Sequence, residues 1–324
     1  MNLKMVTKEN LFSNLAREKK PWQAGYLAMY SSQWQGVATD PDLMTVPIDD
    51  HLVHRGDGVF DVMRCVDGHI YQMEAHLNRL EKSAKAISLN PPPEYGQVRE
   101  IIKAVILKGG EKNCLIRVVL SRGPGGFSTN PFECPSSQMY INVIRHHRPP
   151  EAYYLEGVSL VTSHIPIKKS FFATIKSCNY LPNVLMKMDA INAGGQYAIC
   201  LDEDGYLAEG SIENVSVLSN DGILKFPGFE KTLAGTTAKR VFDLAKTLVQ
   251  EKKIRNVCFD KIPLEEAYLA SEIFLMGTSI NIIPVARLDG KPIGQGQPGP
   301  IYGHLSLLLD KDMRENQDLL TPVA

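Results

Sequence analysis

Several features of common functional classes are missing from this sequence. Its 324 residues carry 35 basic and 36 acidic side chains, a net charge of -1, so there is no basic excess of the kind that binds nucleic acid or a membrane surface. No apolar run is long enough to span a bilayer, and the first 20 residues contain no apolar core of signal-peptide length. We therefore expect a cytoplasmic protein that binds neither nucleic acid nor membrane.

Cysteine is scarce, and its spacing argues against two further classes. The six cysteines are Cys65, Cys114, Cys134, Cys178, Cys200 and Cys258. No two of them form a Cys-x-x-Cys pair, so the pattern favours reduced thiols over a disulfide framework or a zinc site. We expect no metal site, and the sequence shows neither an internal repeat nor a low-complexity tract.

The composition that remains is typical of a globular protein with a sizeable core, because 44% of the residues are hydrophobic and 22% are charged. Strand-like and helix-like segments follow one another irregularly in two halves, which predicts α+β domains rather than a doubly wound sheet. We predict an N-terminal extension over 1–35, a small α/β domain over 36–145, a polar, proline-rich linker over 146–155 and a larger domain over 156–324. Residues 1–20 are predicted to form a short amphipathic helix with Leu11, Phe12 and Leu15 on one side.

One lysine, Lys176, is predicted to lie between a short extended run and a helix. Asn179 is a candidate cap for that helix, and Pro182 is tolerated in its first turn. The apolar residues at helical spacing beyond them are Leu181, Val184, Leu185 and Met188. An amine that is partly desolvated near a helix N-terminus has a lowered pKa, as a lysine that forms a Schiff base requires. Taken alone, however, Lys176 is more readily explained as an ordinary surface lysine.

Four further features are suited to the same chemistry. Glu209 ends a predicted strand, where a carboxylate can pair with a protonated ring nitrogen. Gly235-Thr236-Thr237 opens a predicted helix and suits a phosphate, Gly277-Thr278-Ser279 offers further hydroxyls, and Arg79 offers a fixed positive charge. Each has an ordinary structural interpretation when taken alone: a solvated carboxylate, a threonine cap, a strand-ending turn and an exposed arginine. Together with an amine for an aldehyde, they describe a site for pyridoxal phosphate.

The order of these segments resembles the class IV aminotransferases, which share pyridoxal-phosphate fold type IV and include branched-chain aminotransferases, D-amino-acid aminotransferases and aminodeoxychorismate lyases. The resemblance covers residues 49–289, most of the chain. The motifs that carry it are His54-Arg55-Gly56-Asp57-Gly58-Val59-Phe60-Asp61, Glu74-Ala75-His76-Leu77-Asn78-Arg79-Leu80, Lys176-Ser177-Cys178-Asn179-Tyr180-Leu181, Glu209-Gly210-Ser211-Ile212-Glu213-Asn214, Gly235-Thr236-Thr237 and Gly277-Thr278.

The resemblance implies a small N-terminal domain, a larger cofactor-binding C-terminal domain, and a homodimer in which loops of the partner complete each substrate pocket. Lys176 resembles the Schiff-base and proton-transfer lysine of the family. The other positions implied to bind pyridoxal 5'-phosphate are Arg79, Thr237 and Thr278 at its phosphate, Thr236 through its backbone N–H, Tyr180 near its phenolic oxygen and Glu209 at its ring nitrogen. Thr236-Thr237-Ala238 departs from the Ile-Thr-Arg of many relatives, which changes the local charge at the phosphate turn.

For this chain, the resemblance implies transfer of an amino group between an amino acid, branched-chain or D-, and a 2-keto acid. Phe60 and Arg64 are similar to the branched-chain group, whereas the loop containing Gly123-Pro124-Gly125 is most similar to plant-type D-amino-acid aminotransferases. Arg64 and Arg117 are the candidates for binding the substrate carboxylate. Two alternatives stay open: a lyase that releases pyruvate, against which Val62 argues, and a non-catalytic cofactor-binding or assembly protein.

Overall fold

The structure, a computed structural model, describes residues 1, 3–15 and 20–324. The helices in this part of the chain are α1 (Lys8–Leu15), α2 (His51–Arg55), α3 (Met73–Ala86), α4 (Val98–Gly109), α5 (Ala152–Leu155), α6 (Ser170–Ala173), α7 (Leu181–Asn192), α8 (Thr236–Gln250), α9 (Leu264–Tyr268) and α10 (Pro300–Glu315). The predicted N-terminal helix coincides in part with α1. The side chains of Phe12 and Leu15 and residues 16–19 lie outside the described residues, so its apolar side stays a prediction.

The strands form two sheets. They are β1 (Tyr26–Ser31), β2 (Gly36–Ala38), β3 (Gly58–Val66), β4 (His69–Tyr71), β5 (Cys114–Ser121), β6 (Gln138–Arg145), β7 (Val158–Thr162), β8 (Tyr197–Leu201), β9 (Leu207–Gly210), β10 (Asn214–Leu218), β11 (Ile223–Phe226), β12 (Asn256–Phe259), β13 (Glu272–Gly277), β14 (Asn281–Leu288), β15 (Lys291–Pro292) and β16 (Leu320–Pro322). The seven-stranded sheet has the order β16-β4-β3-β5-β6-β1-β2, and the nine-stranded sheet has the order β12-β11-β10-β13-β14-β7-β8-β9, with β15 paired to β14.

The alternation of side chains along β3 separates the core from the site. Val59, Met63 and Cys65 are fully buried against the core that α3 and α4 cover, because successive residues of a strand point to opposite faces. Phe60 and Val62 alternate with them and line a cavity on the other face. The hairpin to β4 turns at Asp67-Gly68, and both residues have positive φ (49° and 83°), as a tight two-residue turn requires.

The nine-stranded sheet partly closes on itself. Strand β9 pairs with β8 on one side and with β10 on the other, so the strands from β10 to β9 form a small barrel. Glu209 lies at this closure, where it pairs with Asn214. Helix α8 covers the sheet with an apolar face on which Val241, Ala245 and Leu248 are buried.

The two sheets are tied together by the end of the chain. Strand β16 pairs with β4 in the seven-stranded sheet, whereas α10 packs on α8 beside the nine-stranded sheet. On α10, Asp312 accepts hydrogen bonds from the Tyr71 hydroxyl and from Arg240 Nε (2.8 Å). The predicted domain boundaries stay a prediction, but β1 from the predicted extension and β16 from the predicted larger domain both belong to the seven-stranded sheet.

Around Lys176, two local predictions are wrong. The segment before it contains the short helix α6 instead of an extended run. Asn179 does not cap α7: its Nδ2 donates to the carbonyl of Gly56 (3.1 Å), while Tyr180 occupies the N-cap position without a side-chain hydrogen bond. A contact between distant parts of the chain therefore overrides the local capping preference. Pro182 lies in the first turn of α7, as predicted.

The apolar stripe of α7 faces outward. Leu181, Val184 and Met188 are 68%, 52% and 51% exposed, whereas Met186 and Ala190 are buried. The helical spacing therefore identified a real face, and the structure leaves that face without a partner in the described part of the chain. No described helix is both long and apolar enough to cross a membrane.

Candidate active site

The backbone on both sides of Lys176 is fixed to the seven-stranded sheet and to α3. The N–H of Phe60 donates to the carbonyl of Lys176 (3.0 Å), and the N–H of Cys178 donates to the carbonyl of Gly58 (2.9 Å). The N–H of Lys176 donates to Oγ of Ser83 on α3 (3.2 Å). A Cβ at Gly58 would lie 2.8 Å from the carbonyl oxygen of Leu120, so this close pairing requires glycine.

The Lys176 amine is therefore held at a defined place over aromatic side chains. Nζ donates to the Tyr180 hydroxyl (3.3 Å) and lies 4.9 Å from the centroid of the Phe60 ring. Loss of hydration, followed by the positive charge of Arg79, lowers the pKa of Lys176 to about 8. An appreciable fraction of the amine is then neutral near pH 7, which makes it a nucleophile and a base.

Glu209 supplies a carboxylate close to this amine. It lines a small pocket together with Lys168, Lys176 and Tyr180, and its Oε2 accepts the backbone N–H of Leu233 (2.9 Å). Burial raises the pKa of Glu209 to about 7, against the opposing effects of that hydrogen bond and of the Lys168 and Lys176 charges. The carboxyl is therefore poised to gain or release a proton at neutral pH.

The turn that carries Glu209 is braced by residues to which the sequence analysis gave no role. The N–H of Gly210 donates to the Glu213 carbonyl (2.7 Å), and the N–H of Ile212 donates to Glu213 Oε2 (3.0 Å). Asn214 Nδ2 donates to the carbonyl of Leu233, whose N–H holds Glu209. Glu213 and Asn214 both belong to the Glu209–Asn214 motif, but the spacing within that motif does not show that they position Glu209.

A buried ion-pair network positions Arg79. Its Nε and Nη2 donate to the two oxygens of Asp61, at 2.8 Å each, and His76 Nδ1 lies 2.7 Å from Asp61 Oδ1. Complete burial opposes ionisation of Asp61, but the charges and hydrogen bonds of Arg79 and His76 outweigh it and hold the pKa of that carboxyl well below its usual range. Burial lowers the pKa of His76, so a neutral ring that donates through Nδ1 can accept the Thr236 hydroxyl at Nε2 (3.3 Å).

Asp61 and His76 were missed by the sequence analysis, although both stand in quoted motifs. The available signal was the position of Asp61 in β3, between Val59 and Met63 on the buried face. A charged residue in such a position needs a partner, since an unpaired buried carboxylate is costly.

The predicted phosphate residues surround Arg79. Thr236 and Thr237 are buried in the first turn of α8, and Arg79 Nη1 donates to the carbonyl of Ala234 just before it (3.3 Å). The N-cap residue Gly235 makes no side-chain hydrogen bond to the helix. The first N–H groups of α8 are therefore not engaged by a capping side chain. Thr278 follows β13 and lines the same cavity as Arg79. These donors and this charge are the chemistry that an anion requires.

The site opens into a cavity of about 490 Å³ between the two sheets. It is lined by Val46, Leu52, Phe60, Val62, Arg79, Leu115, Arg117, Val119, Tyr140, Asn142, Lys176, Cys178, Tyr180, Ile212, Thr278 and Ser279. The structure thus brings Phe60, Arg117 and Lys176 together. Arg117 lies with its guanidinium carbon 5.5 Å from the Phe60 centroid.

The two candidate carboxylate-binding arginines differ in their partners. Arg64 Nη1 donates to Asn281 Oδ1 (2.6 Å), and Arg64 is not among the residues that line the cavity. Arg117 lines the cavity, and no hydrogen bond or ion pair among the described residues engages its side chain. Of the two, only Arg117 therefore presents a free guanidinium to the cavity.

Comparison with known proteins decides the family. The family profile described as amino-transferase class IV matches residues 58–288. The chain belongs to the class IV aminotransferases. It is 40% identical over 290 residues to a chloroplastic D-amino-acid transaminase of Arabidopsis thaliana, covering 89% of this chain and 77% of that protein. It is also 31% identical over 270 residues to the branched-chain-amino-acid aminotransferase of Escherichia coli K12, covering 79% of this chain and 84% of that protein.

Solved structures of class IV aminotransferases agree with this fold. The T.th. branched-chain amino acid aminotransferase with pyridoxamine 5'-phosphate matches with a TM-score of 0.85 and 26% identity, over 92% of this chain and 99% of that one. The predicted family and the α+β fold are thereby confirmed. The chain is an aminotransferase, which sets aside the alternative of a non-catalytic binding protein.

The charge of Arg79 is expected to set the titration of Lys176. In the cofactor-free protein, an NMR titration of the Lys176 side chain should give a midpoint of about 8. Arg79→Met should move that midpoint upward, because it removes a positive charge that disfavours the ammonium form. Arg99→Met, which removes an exposed arginine paired with Glu74, is the control and should leave the midpoint unchanged. An unshifted midpoint in Arg79→Met would contradict this account.

Proposed function

We propose that this aminotransferase binds pyridoxal 5'-phosphate and moves an amino group between an amino acid, branched-chain or D-, and a 2-keto acid. The observation that carries the proposal is one small pocket lined by Lys176, an amine of lowered pKa, and Glu209, a carboxylate of raised pKa, beside an arginine anchored at a helix N-terminus. The names of the two relatives refer to D-amino acids and to branched-chain amino acids, which supports both parts of the proposed substrate class.

The residues present fit the cofactor. Arg79, Thr236 and Thr237 offer positive charge, hydroxyls and free N–H groups to a phosphate, with Thr278 on the cavity side. Glu209 offers a carboxylate to a ring nitrogen, and Tyr180 offers a hydroxyl close to the Lys176 amine. In the pocket that contains Glu209, the buried Oδ1 of Asn183 has no hydrogen-bond partner among the described residues, so the pocket lacks a donor that a ligand or water would supply.

In this proposal Glu209, Lys176 and Tyr180 have separate roles in the reaction. When bound, pyridoxal phosphate supplies an aldehyde that condenses with amines and a ring that accepts electrons. Glu209 keeps the ring nitrogen protonated by pairing with it. Lys176 would hold the cofactor through its amine, and the neutral amine would take the proton from the substrate Cα and return it to the carbon next to the ring. Tyr180 orients that amine through its hydroxyl.

We further propose that Arg117 binds the substrate carboxylate and that Phe60 and Val62 contact the substrate side chain. Arg117 carries the unengaged guanidinium described above, and a guanidinium binds a carboxylate through two parallel hydrogen bonds. The remaining wall is largely apolar, with Val46, Leu115 and Val119 among its residues, which suits an aliphatic side chain. Arg64 is the less favoured candidate because it is already engaged by Asn281.

Replacement of Lys176 tests the central claim. Lys176→Ala should lose transamination to 2-oxoglutarate by at least about 10²–10⁴-fold, the usual contribution of a positioned acid–base group. The assay is run over both enantiomers of several amino acids, so that it also identifies the substrate. Lys169→Ala, which removes an exposed lysine of the same segment, is the control and should keep full activity. Near-normal turnover in Lys176→Ala, or release of pyruvate without an amino acceptor in the unmodified enzyme, would falsify the proposal.

The carboxylate assignment is tested by comparing two arginines. Arg117→Met should raise the KM of the amino acid and of the keto acid about 10–100-fold, as expected for loss of a hydrogen bond to a charged group, with a smaller effect on kcat. Arg64→Met is the matched control and should change KM little. The reverse result, with the large KM effect in Arg64→Met, would assign the carboxylate to Arg64 instead.

We propose that the enzyme works as a homodimer whose subunits share the active site. The outward face of α7 supports this, because Leu181, Val184 and Met188 form an exposed apolar surface next to Tyr180, which lines the cavity. Sedimentation velocity should show a dimer for the unmodified enzyme and a monomer for Val184→Glu/Met188→Glu. The control Leu107→Glu, at an exposed position of α4, should remain dimeric. If the double α7 variant is still a dimer, the interface does not involve this face of α7.

We infer that the protein acts in a reducing compartment, the cytoplasm. In the described part of the chain all six cysteines are free thiols. The Arabidopsis relative is chloroplastic by name, so fractionation of the source cells distinguishes the two locations.

A further inference from the structure

A second lysine lies in the pocket that contains Glu209. Lys168 follows β7 and precedes α6, and it lines the same small pocket as Glu209, Lys176 and Tyr180. It is not among the residues that line the substrate cavity. Lys168 and Lys176 are the two cations among the described residues that line this pocket, and the roles proposed above use Lys176 alone.

The Lys168 side chain is half-buried and lies over an aromatic ring. Its Nζ is 4.9 Å from the centroid of the Tyr180 ring, whereas Lys176 Nζ approaches the same tyrosine at its hydroxyl (3.3 Å). The face of an aromatic ring attracts a cation, which holds the ammonium of Lys168 in this place. Burial lowers the pKa of Lys168, and the charge of Glu209 opposes that effect. The two charges therefore interact, although no ion pair joins them within the described residues.

The charge of Lys168 acts on both titrating groups of the site. Burial raises the pKa of Glu209, and the hydrogen bond from Leu233 opposes that rise, followed by the charges of Lys168 and Lys176 in that order. Burial lowers the pKa of Lys176, the charge of Arg79 lowers it further, and Lys168 adds a smaller effect in the same direction. One cation thus favours the charged form of Glu209 and the neutral form of the Lys176 amine, the two forms that the proposed reaction uses.

The other groups that face Glu209 in the described part of the chain add no positive charge. Glu213 raises the pKa of Glu209. Cys200 on β8 donates through Sγ to the backbone carbonyl of Glu209 (3.2 Å), and burial raises the pKa of this thiol to about 12. Burial also raises the pKa of Tyr180, so its hydroxyl is uncharged at neutral pH. Stabilisation of the Glu209 carboxylate by charge therefore depends on the two lysines.

Of these two lysines, only Lys168 keeps a constant charge, because the amine of Lys176 takes part in the proposed reaction. In that reaction Glu209 pairs with the ring nitrogen of the cofactor, and the two atoms share one proton. A carboxylate beside a protonated nitrogen separates charge, whereas a carboxyl beside a neutral nitrogen does not. A positive charge near the carboxylate favours the first arrangement. It is also the arrangement in which the ring accepts electrons best.

We propose that Lys168 is a positioning residue of this site: its ammonium, held over the Tyr180 ring, is the constant counter-charge that keeps Glu209 a carboxylate and places the shared proton on the ring nitrogen. This inference rests on the proposed function, in which Glu209 pairs with that nitrogen. It holds whichever amino acid is the substrate.

A titration of Glu209 in the full chain without cofactor tests the interaction of the two charges. The midpoint, followed by ¹³C NMR of the side-chain carboxyl, should be about 7 in the unmodified protein. Lys168→Met should raise it by about half a pH unit or more, because it removes a positive charge that favours the carboxylate. Lys168→Arg keeps the charge and should keep the midpoint.

The matched control for this titration removes the neighbouring charge. Lys169 is exposed and does not line the pocket, so Lys169→Met should leave the midpoint of Glu209 unchanged. An unshifted midpoint in Lys168→Met, or an equal rise in Lys169→Met, would overturn the proposal.

A second measurement uses the holoenzyme, loaded with pyridoxal phosphate that carries ¹⁵N in its ring. The ¹⁵N chemical shift distinguishes a protonated ring nitrogen from a neutral one, and Glu209→Gln supplies the reference for a nitrogen without a carboxylate partner. We expect the signal of Lys168→Met to move from that of the unmodified enzyme toward this reference. Lys168→Arg and Lys169→Met should give the unmodified signal.

The pattern of ¹⁵N signals distinguishes the two ways of failing. A signal in Lys168→Met equal to that of the unmodified enzyme, while Glu209→Gln differs, would overturn the role of Lys168 and leave the proposed function intact. An unchanged signal in Glu209→Gln itself would contradict the proposed function, and the role of Lys168 would be wrong with it. Neither measurement uses turnover.

Discussion

The active site depends on the pairing of Asp61 with Arg79. A carboxylate enclosed on the core side of β3 costs several kcal/mol unless it is paired, so its ionisation requires both the guanidinium and His76. His76 and Arg79 stand three residues apart on α3 and therefore face the same strand. Since both Arg79 contacts to Asp61 are made through Nε and Nη2, only Nη1 remains directed at the start of α8. The core of the seven-stranded sheet thus determines where the guanidinium of Arg79 lies between the two sheets.

The same arginine also contributes to the lowered pKa of Lys176. Desolvation lowers the pKa of the amine most, the charge of Arg79 lowers it further, and Asp61 and Glu209 oppose both effects. Because Asp61 opposes the effect of Arg79, the pKa of the amine falls less than Arg79 and desolvation alone would lower it. The pKa of Glu209 is shifted in the opposite direction. Burial raises it, and the charges of Lys168 and Lys176 limit that rise. The pKa values of the two groups therefore lie close together, with Glu209 as the proposed partner of the ring nitrogen and Lys176 as the proposed proton carrier.

The sequence predicted the family, the fold class and most element positions because motif order and local periodicity are local properties of the chain. It did not predict the roles of Asp61, His76 and Glu213, since each acts through a partner that its local spacing does not reveal. Asn179 shows the same limit: its local preference is a helix cap, but the Gly56 carbonyl, distant in sequence, takes its hydrogen bond. Arg64 and Arg117 could not be ranked, because strand register is set by pairing. The β3–β5 register places Arg117 opposite Val62 in the cavity wall, whereas Arg64 is engaged by Asn281, which is distant in sequence.

Phe60 links the substrate side of the cavity to the catalytic side. Arg117 and Lys176 lie 5.5 Å and 4.9 Å from the centroid of its ring, so two cations approach one aromatic ring without a counter-charge between them. In the proposed function, a substrate carboxylate on Arg117 would neutralise one of these charges. In the described part of the chain, Arg117 is the one cavity arginine without a hydrogen-bond partner, and the wall beyond it is apolar. The described residues therefore supply one unengaged guanidinium to the cavity, which is why a single substrate carboxylate is proposed to bind there.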